Sequence, residues 1–195
     1  MKRRAIFMDR DGTISYEVGY INHVSRIQVI PDSVEAIRHI NRSAFRAVAV
    51  TNQSGVARGY FEEPLIDQVH ASLRRQLEER GARLDAIYYC PHHPREGEPP
   101  WRQQCGCRKP ATGMLERACR ELDIDLAGSY MVGDTMIDMH TARNAGLTGV
   151  LVLTGYGRGE YEHRSHLWPF RPDHIAENLL EAVRWILARD KEAGA

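Results

Sequence analysis

Arg4-Ala5-Ile6-Phe7-Met8-Asp9-Arg10-Asp11-Gly12-Thr13 begins as a short apolar run and ends in two carboxylates, one residue apart, that run into a Gly turn. The apolar part reads as a buried strand. Asp9 and Asp11 therefore emerge together at a strand's end. This arrangement suits a nucleophilic carboxylate with a proton-transfer carboxylate beside it. Like charges this close do not both stay ionised without a cation, and a divalent metal would supply one. Taken alone, Asp-x-Asp-Gly is also ordinary turn chemistry.

A second acidic pair lies further along. Gly133-Asp134-Thr135-Met136-Ile137-Asp138 follows the strand-like Ser129-Tyr130-Met131-Val132. Asp134 and Asp138 are spaced to face one side of a helix as it begins, although Gly-Asp at a strand end also serves as a helix cap. Oxygen-rich acidic sites with open water positions suit Mg²⁺. Between the two pairs come Thr51-Asn52, after the strand-like Arg46-Ala47-Val48-Ala49-Val50, and Lys109 in Arg108-Lys109-Pro110. Hydroxyl, amide and ammonium groups are suited to phosphoryl oxygens. The ordered recurrence of such signals, most of them after an apolar strand, separates this pattern from accidental turns.

The same reading extends to the whole chain. Strands are predicted over 4–8, 46–51, 86–90, 129–132 and 149–153, and helices over 33–43, 63–80, 112–122, 136–145 and 175–189. Their alternation predicts an α/β fold, a Rossmann-like parallel sheet with helices on both faces. Sites in such sheets lie beyond the C-terminal ends of the strands, where Asp9, Thr51 and Asp134 fall. Ser33 is expected to cap the first helix and Gly81 to end the second. Val34, Ile37 and Ile40, and likewise Leu179, Val183 and Ile186, are core stripes. Gly155, Gly157 and Gly159 suggest a flexible loop near the site end of the last strand. No element is predicted over 156–173, and residues 190–195 are expected to fray.

At 195 residues, one domain spanning 1–195 is expected. Lys plus Arg and Asp plus Glu each number 26, which gives no support to a broad nucleic-acid surface. No run approaches a transmembrane helix or a signal peptide. A cytoplasmic monomer that binds a small molecule, with no nucleic-acid or membrane partner, is the expectation. Cys119 stands apart in a helical pattern and reads as a packed, inert thiol.

The remaining cysteines form a group. Cys90-Pro91-His92 is followed, after twelve residues, by Cys105-Gly106-Cys107. Cys90, His92, Cys105 and Cys107 make a closed set of soft and imidazole ligands, as in structural Zn²⁺ sites. The intervening stretch is poor in apolar residues, so a metal would order it. A redox pair is the competing reading, and His93 the competing ligand. The loop over 90–107 ends directly at Arg108-Lys109, so a zinc clamp there would fix a phosphate-binding Lys.

Taken together, Asp9-x-Asp11, Thr51, Lys109 and Gly133-Asp134…Asp138 resemble the four motifs of haloacid-dehalogenase (HAD)-type phosphatases. The resemblance implies a Mg²⁺-dependent phosphohydrolase with catalytic Asp9, Asp11, Thr51 and Lys109. Asp9 would form an aspartyl-phosphate, and Asp11 would protonate the leaving alkoxide and then activate water. Mg²⁺ would be held by Asp9, Asp134 and the backbone carbonyl of Asp11, with Asp138 supporting rather than ligating. Tyr88–Pro94, Cys105–Pro110, Thr51–Gly55 and Ser129–Asp134 are further similar to the D-glycero-D-manno-heptose-1,7-bisphosphate 7-phosphatase family, over Ala5 to about Gly155. That likeness implies no large cap domain and a role in ADP-heptose synthesis for lipopolysaccharide or another surface glycan. It also implies substrate contacts from Glu17, Gly19, Tyr20, Thr51, Asn52, Gln53, Ser54, Arg108 and Lys109. Thr135 stands where some members carry Lys. The loops around Tyr16–Asn22 and 90–107 are expected to cover the pocket together. Histidinol-phosphate phosphatase, with a related zinc loop, and a non-catalytic phosphosugar-binding module are the alternatives.

Overall fold

The structure is a computed structural model that describes residues 2–193. Strand β1 (Ala5–Met8) is buried along its whole length, as a central strand covered on both faces must be. It pairs in parallel with β2 (Arg46–Asn52) on one side and β4 (Tyr130–Gly133) on the other. Beyond β2 lies β3 (Ala86–Cys90). Beyond β4 lie β5 (Thr148–Val152) and a short β6 (His174–Ala176). The sheet thus has six parallel strands in the order β3-β2-β1-β4-β5-β6.

Alternate residues of the central strands feed two cores. Ile6, Met8, Ala47, Ala49 and Val132 pack with α1 (Pro31–Asn41), α2 (Pro64–Glu78) and α6 (Leu179–Ala193). Ala5, Phe7, Val48, Val50 and Met131 face the other way, onto α3 (Gly113–Leu122) and α4 (Met136–Asn144). The stripes Val34-Ile37-Ile40 and Leu179-Val183-Ile186 are buried in the first core. The chain progresses from β1 outward to β3, then crosses back to β4, so its direction reverses between β1 and β4. The two strand ends that flank this reversal carry Asp9 and Asp134.

Several local expectations are corrected. Ser33 does not cap α1. The helix begins at Pro31, whose ring presets the first helical residue, and Ser33 Oγ is buried and donates to Thr13 O (2.8 Å). Asp134 precedes α4 and lies outside it, so only Asp138 is helical. Residues 156–173 are not one open loop: a short helical turn, α5 (Gly157–Gly159), continues irregularly through Leu167. Residues 190–193 continue α6, while 194 and 195 lie outside the described residues. No helix among the described residues is long and apolar enough to cross a membrane.

Candidate active site

Each acidic residue is aimed by its strand. Asp9 leaves β1 with its N–H donating to Val132 O (2.9 Å), which ties the end of β1 to β4. Gly12, at φ +80°, turns the chain back over the site. A Cβ there would lie 2.1 Å from Asp134 Oδ2, and one on Gly155 would lie 2.2 Å from the same oxygen. These two glycines press backbone against the Asp134 carboxylate from two loops. Thr154 Oγ1 donates to Gly12 O and Tyr156 N–H donates to Asp134 Oδ2 (2.8 Å), closing that contact.

Lys109 lies between two carboxylates. Its Nζ donates to Asp9 Oδ1 (2.8 Å) and Asp138 Oδ1 (2.6 Å), and the residue is 4% exposed. Burial works against its charge, but Asp138 and Asp9 outweigh it and hold the ammonium pKa above the ordinary lysine range. Asn52 is tied to Lys109. Its side-chain amide donates to Lys109 O (3.1 Å) and accepts from Lys109 N–H (3.0 Å), fixing the lysine's backbone to the end of β2. Asp138 is fully buried and also accepts from Thr135 N–H and Oγ1 (3.2 and 2.8 Å), a cap on α4.

One lysine does not neutralise this cluster. Burial is the largest effect on Asp9, whose pKa is pushed up to about 7. Burial, followed by repulsion from Asp9 and Asp138, takes Asp134 up to about 9. Carboxylate oxygens of Asp9, Asp134 and Asp138 approach within 4.8 Å of one another. A buried all-oxygen donor set short of positive charge fits a hard divalent cation such as Mg²⁺.

Asp11 is held separately. Arg10 Nε donates to Asp11 Oδ1 (3.0 Å) and Nη2 to Oδ2 (2.6 Å). Gln53 Nε2 donates to Asp11 Oδ2 and to Thr51 Oγ1 (both 2.9 Å). Arg10, at 1% exposed, is the largest fully buried side chain. Sequence reasoning passed over it, because an arginine between two aspartates reads as surface charge.

Around these groups is a cleft of about 380 Å³. Every anticipated substrate contact lines it, from Glu17, Gly19 and Tyr20 through Thr51–Ser54 to Arg108 and Lys109. Tyr16–Asn22 borders the pocket as expected. No residue of 90–107 lines it, a correction to the two-loop cover; Tyr156, on the loop after β5 at the other side of the sheet, lines it instead. Neither Tyr156 nor Gly155 was singled out as a site residue, and the Gly-rich spacing after β5 was their only signal.

The loop over 90–107 supports the pocket from behind. Cys90, His92, Cys105 and Cys107 converge, with sulfur–sulfur distances of 3.0 to 3.5 Å and His92 Nδ1 3.4 Å from Cys107 Sγ. A tetrahedral zinc site has sulfur–sulfur edges of about 3.8 Å, so the cage fits Zn²⁺ with a slight expansion. Hydrogen bonds from Cys90 first, then Cys105 and His92, hold the Cys107 pKa down to about 5, against the effect of burial. His93 turns away: its Nδ1 accepts from the N–H groups of Arg95 and Glu96 (3.2 and 2.9 Å). Arg108 Nη1 donates to His92 O (3.1 Å), so the cluster and the pocket share a residue pair. Cys119 is partly buried against the second core.

Comparison with known proteins places this geometry. Residues 106–182 match the HAD-hydrolase-like family model. The D-glycero-D-manno-heptose-1,7-bisphosphate 7-phosphatase of Thermosynechococcus vestitus is 43% identical, over 95% of this chain and 96% of its own. The chain belongs to this phosphatase family. The D-glycero-beta-D-manno-heptose-1,7-bisphosphate 7-phosphatase of Escherichia coli K12 is 46% identical, over 77% of this chain and 80% of its own. A crystal structure of D,D-heptose 1,7-bisphosphate phosphatase from B. bronchiseptica, complexed with magnesium and phosphate, superposes with a TM-score of 0.82. It is 32% identical and covers 95% of this chain and 99% of its own. The acidic cluster lies at the C-terminal ends of parallel strands, and no large cap domain is inserted among the described residues.

Proposed function

We propose that this chain removes the C7 phosphate of D-glycero-D-manno-heptose 1,7-bisphosphate through an aspartyl-phosphate on Asp9, within ADP-heptose synthesis. The observation that carries the reading is the buried triad of Asp9, Lys109 and Asp138 beside Asp134, in a chain whose relatives bear that substrate in their names. Several of those relatives are named for the β anomer, which is the preferred substrate on this reading.

Mg²⁺, held by Asp9, Asp134 and the Asp11 carbonyl, would neutralise the phosphoryl oxygens and allow both carboxylates to stay ionised. The chain's own groups do the rest. Asp9 attacks phosphorus while the bond to the C7 oxygen breaks, and Asp11 gives that oxygen its proton. Thr51 and Lys109 hold phosphoryl oxygens. Asp11 then takes a proton from the water that cleaves the acyl phosphate, regenerating Asp9. Arg108, with its forked guanidinium, suits the second, unreactive phosphate. Glu17 accepts sugar hydroxyls at the rim, its pKa raised by burial and partly relieved by the Gly19 N–H. Zn²⁺ on Cys90, His92, Cys105 and Cys107 is architectural.

The test is phosphate release with Mg²⁺ from the α- and β-heptose bisphosphates and from histidinol phosphate, with Asp9→Asn as control. A strong preference for a heptose bisphosphate, lost in the variant, is expected. Preference for histidinol phosphate would overturn the substrate and keep the chemistry.

A further inference from the structure

Asp11 has more hydrogen-bond donors around it than a pocket-edge carboxylate needs. Oδ1 accepts from Arg10 Nε (3.0 Å) and Ser15 Oγ (3.3 Å); Oδ2 accepts from Arg10 Nη2 (2.6 Å) and Gln53 Nε2 (2.9 Å). A forked pair of this kind fixes both the plane and the rotamer of a carboxylate. The fork is itself fixed. Arg10 Nη1 lies 3.1 Å from Nε2 of His70, on α2, and His70 is 7% exposed. A guanidinium only donates, so His70 Nε2 accepts and the imidazole is neutral. Its burial first, and then Arg10 and Arg74, push the His70 pKa down to about 3, consistent with that state. Tyr89 packs edge-on against the imidazole, with ring centroids 5.6 Å apart. The chain therefore buries a guanidinium and a neutral histidine behind the proton-transfer group. Neither residue lines the pocket.

We propose that Arg10 and His70 are positioning residues that set Asp11 for proton transfer to the leaving oxygen, and that Gln53 marks where that oxygen arrives. Of the side chains that donate to Asp11, only Gln53 also lines the pocket. Substrate can draw the Gln53 amide away while Arg10 stays, which frees one side of Oδ2 without releasing its orientation. Oδ2, freed on that side, takes up a proton from solvent; as Asp9 attacks, the phosphorus–oxygen bond breaks, its electron pair remains on the leaving oxygen, and that proton passes from Asp11 Oδ2 to it. A misplacement of about 1 Å in such a group costs on the order of 10²-fold in rate.

The inference rests on the phosphatase reading above, and its test separates the two. Protonation matters for an alkoxide leaving group and hardly for p-nitrophenolate. kcat/KM reports the step that forms the aspartyl-phosphate when that step is irreversible. His70→Leu removes the acceptor behind Arg10, and His70→Gln restores one. The expected result is a fall of about 10- to 100-fold in kcat/KM for the heptose bisphosphate with His70→Leu, at the level set by misplaced proton transfer. For p-nitrophenyl phosphate the change should stay within about threefold, and His70→Gln should recover most of the loss. Equal losses on both substrates, or no loss on either, would overturn the proposal. Circular dichroism on each variant guards against a fold effect. If wild type ignores the heptose bisphosphate but hydrolyses another alkyl phosphate, the substrate reading fails, and the same pair of rates on that ester still tests His70.

Discussion

Asp9 and Asp134 show how burial raises the proton affinity of two ordinary carboxylates. Both pKa values lie above the ordinary aspartate value, Asp9 at about 7 and Asp134 at about 9, in the absence of a cation. The native state therefore holds protons that the unfolded chain has already released near pH 4. By linkage, these two groups lower the stability of the metal-free protein as pH rises from about 4 towards 9. Mg²⁺ relieves that cost, so its stabilising shift in Tm should grow between pH 6 and 9. Thermal melts with EDTA or with Mg²⁺ at several pH values check this, and a pH-independent shift would contradict it. Asp9→Asn replaces the nucleophilic carboxylate with a weakly nucleophilic amide and should reduce phosphate release by more than about 10³-fold, with an unchanged far-ultraviolet spectrum.

At the scale of elements, the site depends on loops that approach without side chains. Gly12 and Gly155 both sit at positive φ against Asp134 Oδ2. Gly12→Ala should raise the Mg²⁺ concentration needed for half-maximal activity by more than about tenfold, since the methyl group occupies the carboxylate's position; Mg²⁺ titration of the rate measures it. The loop over 90–107 acts through its ends. Cys107 directly precedes Arg108 and Lys109, and His92 O holds Arg108. Cys107→Ala should lose zinc, lower Tm by several degrees and reduce kcat/KM, as read by metal analysis, melting and kinetics. Zinc loss with unchanged activity would sever the link between the clamp and the pocket.

At the scale of the whole molecule, segments near the two ends of the described residues meet. Arg4, just before β1, donates to Asp190 on α6, and α6 packs beside α1 on the same face of the sheet. We propose that residues 2–193 unfold as one cooperative unit, so circular dichroism and tryptophan fluorescence should give coincident urea transitions. Ile186→Ala, in a fully buried position on α6, should cost about 2–5 kcal/mol in that experiment while leaving kcat/KM of the folded fraction unchanged.

Apolar strands ending in Asp9, Thr51 and Asp134, with helical stripes between them, determined by themselves the parallel sheet, its two-sided core and the end where chemistry collects. Local periodicity carries that information because burial on both strand faces demands it. The same chain order exposed the Cys90-His92-Cys105-Cys107 set, whose residue types announce a metal. Three things were settled only by the tertiary structure. Arg10 is buried because Asp11 and His70, the latter some sixty residues away, neutralise and bond it. Asn52 turned out to hold the Lys109 backbone from the pocket wall. Tyr156 and Gly155 joined the site because β5 lies beside β4 and delivers its following loop onto Asp134. Each depends on partners far apart in sequence, and no local pattern encodes a partner that only the crossover of the chain brings within hydrogen-bond distance.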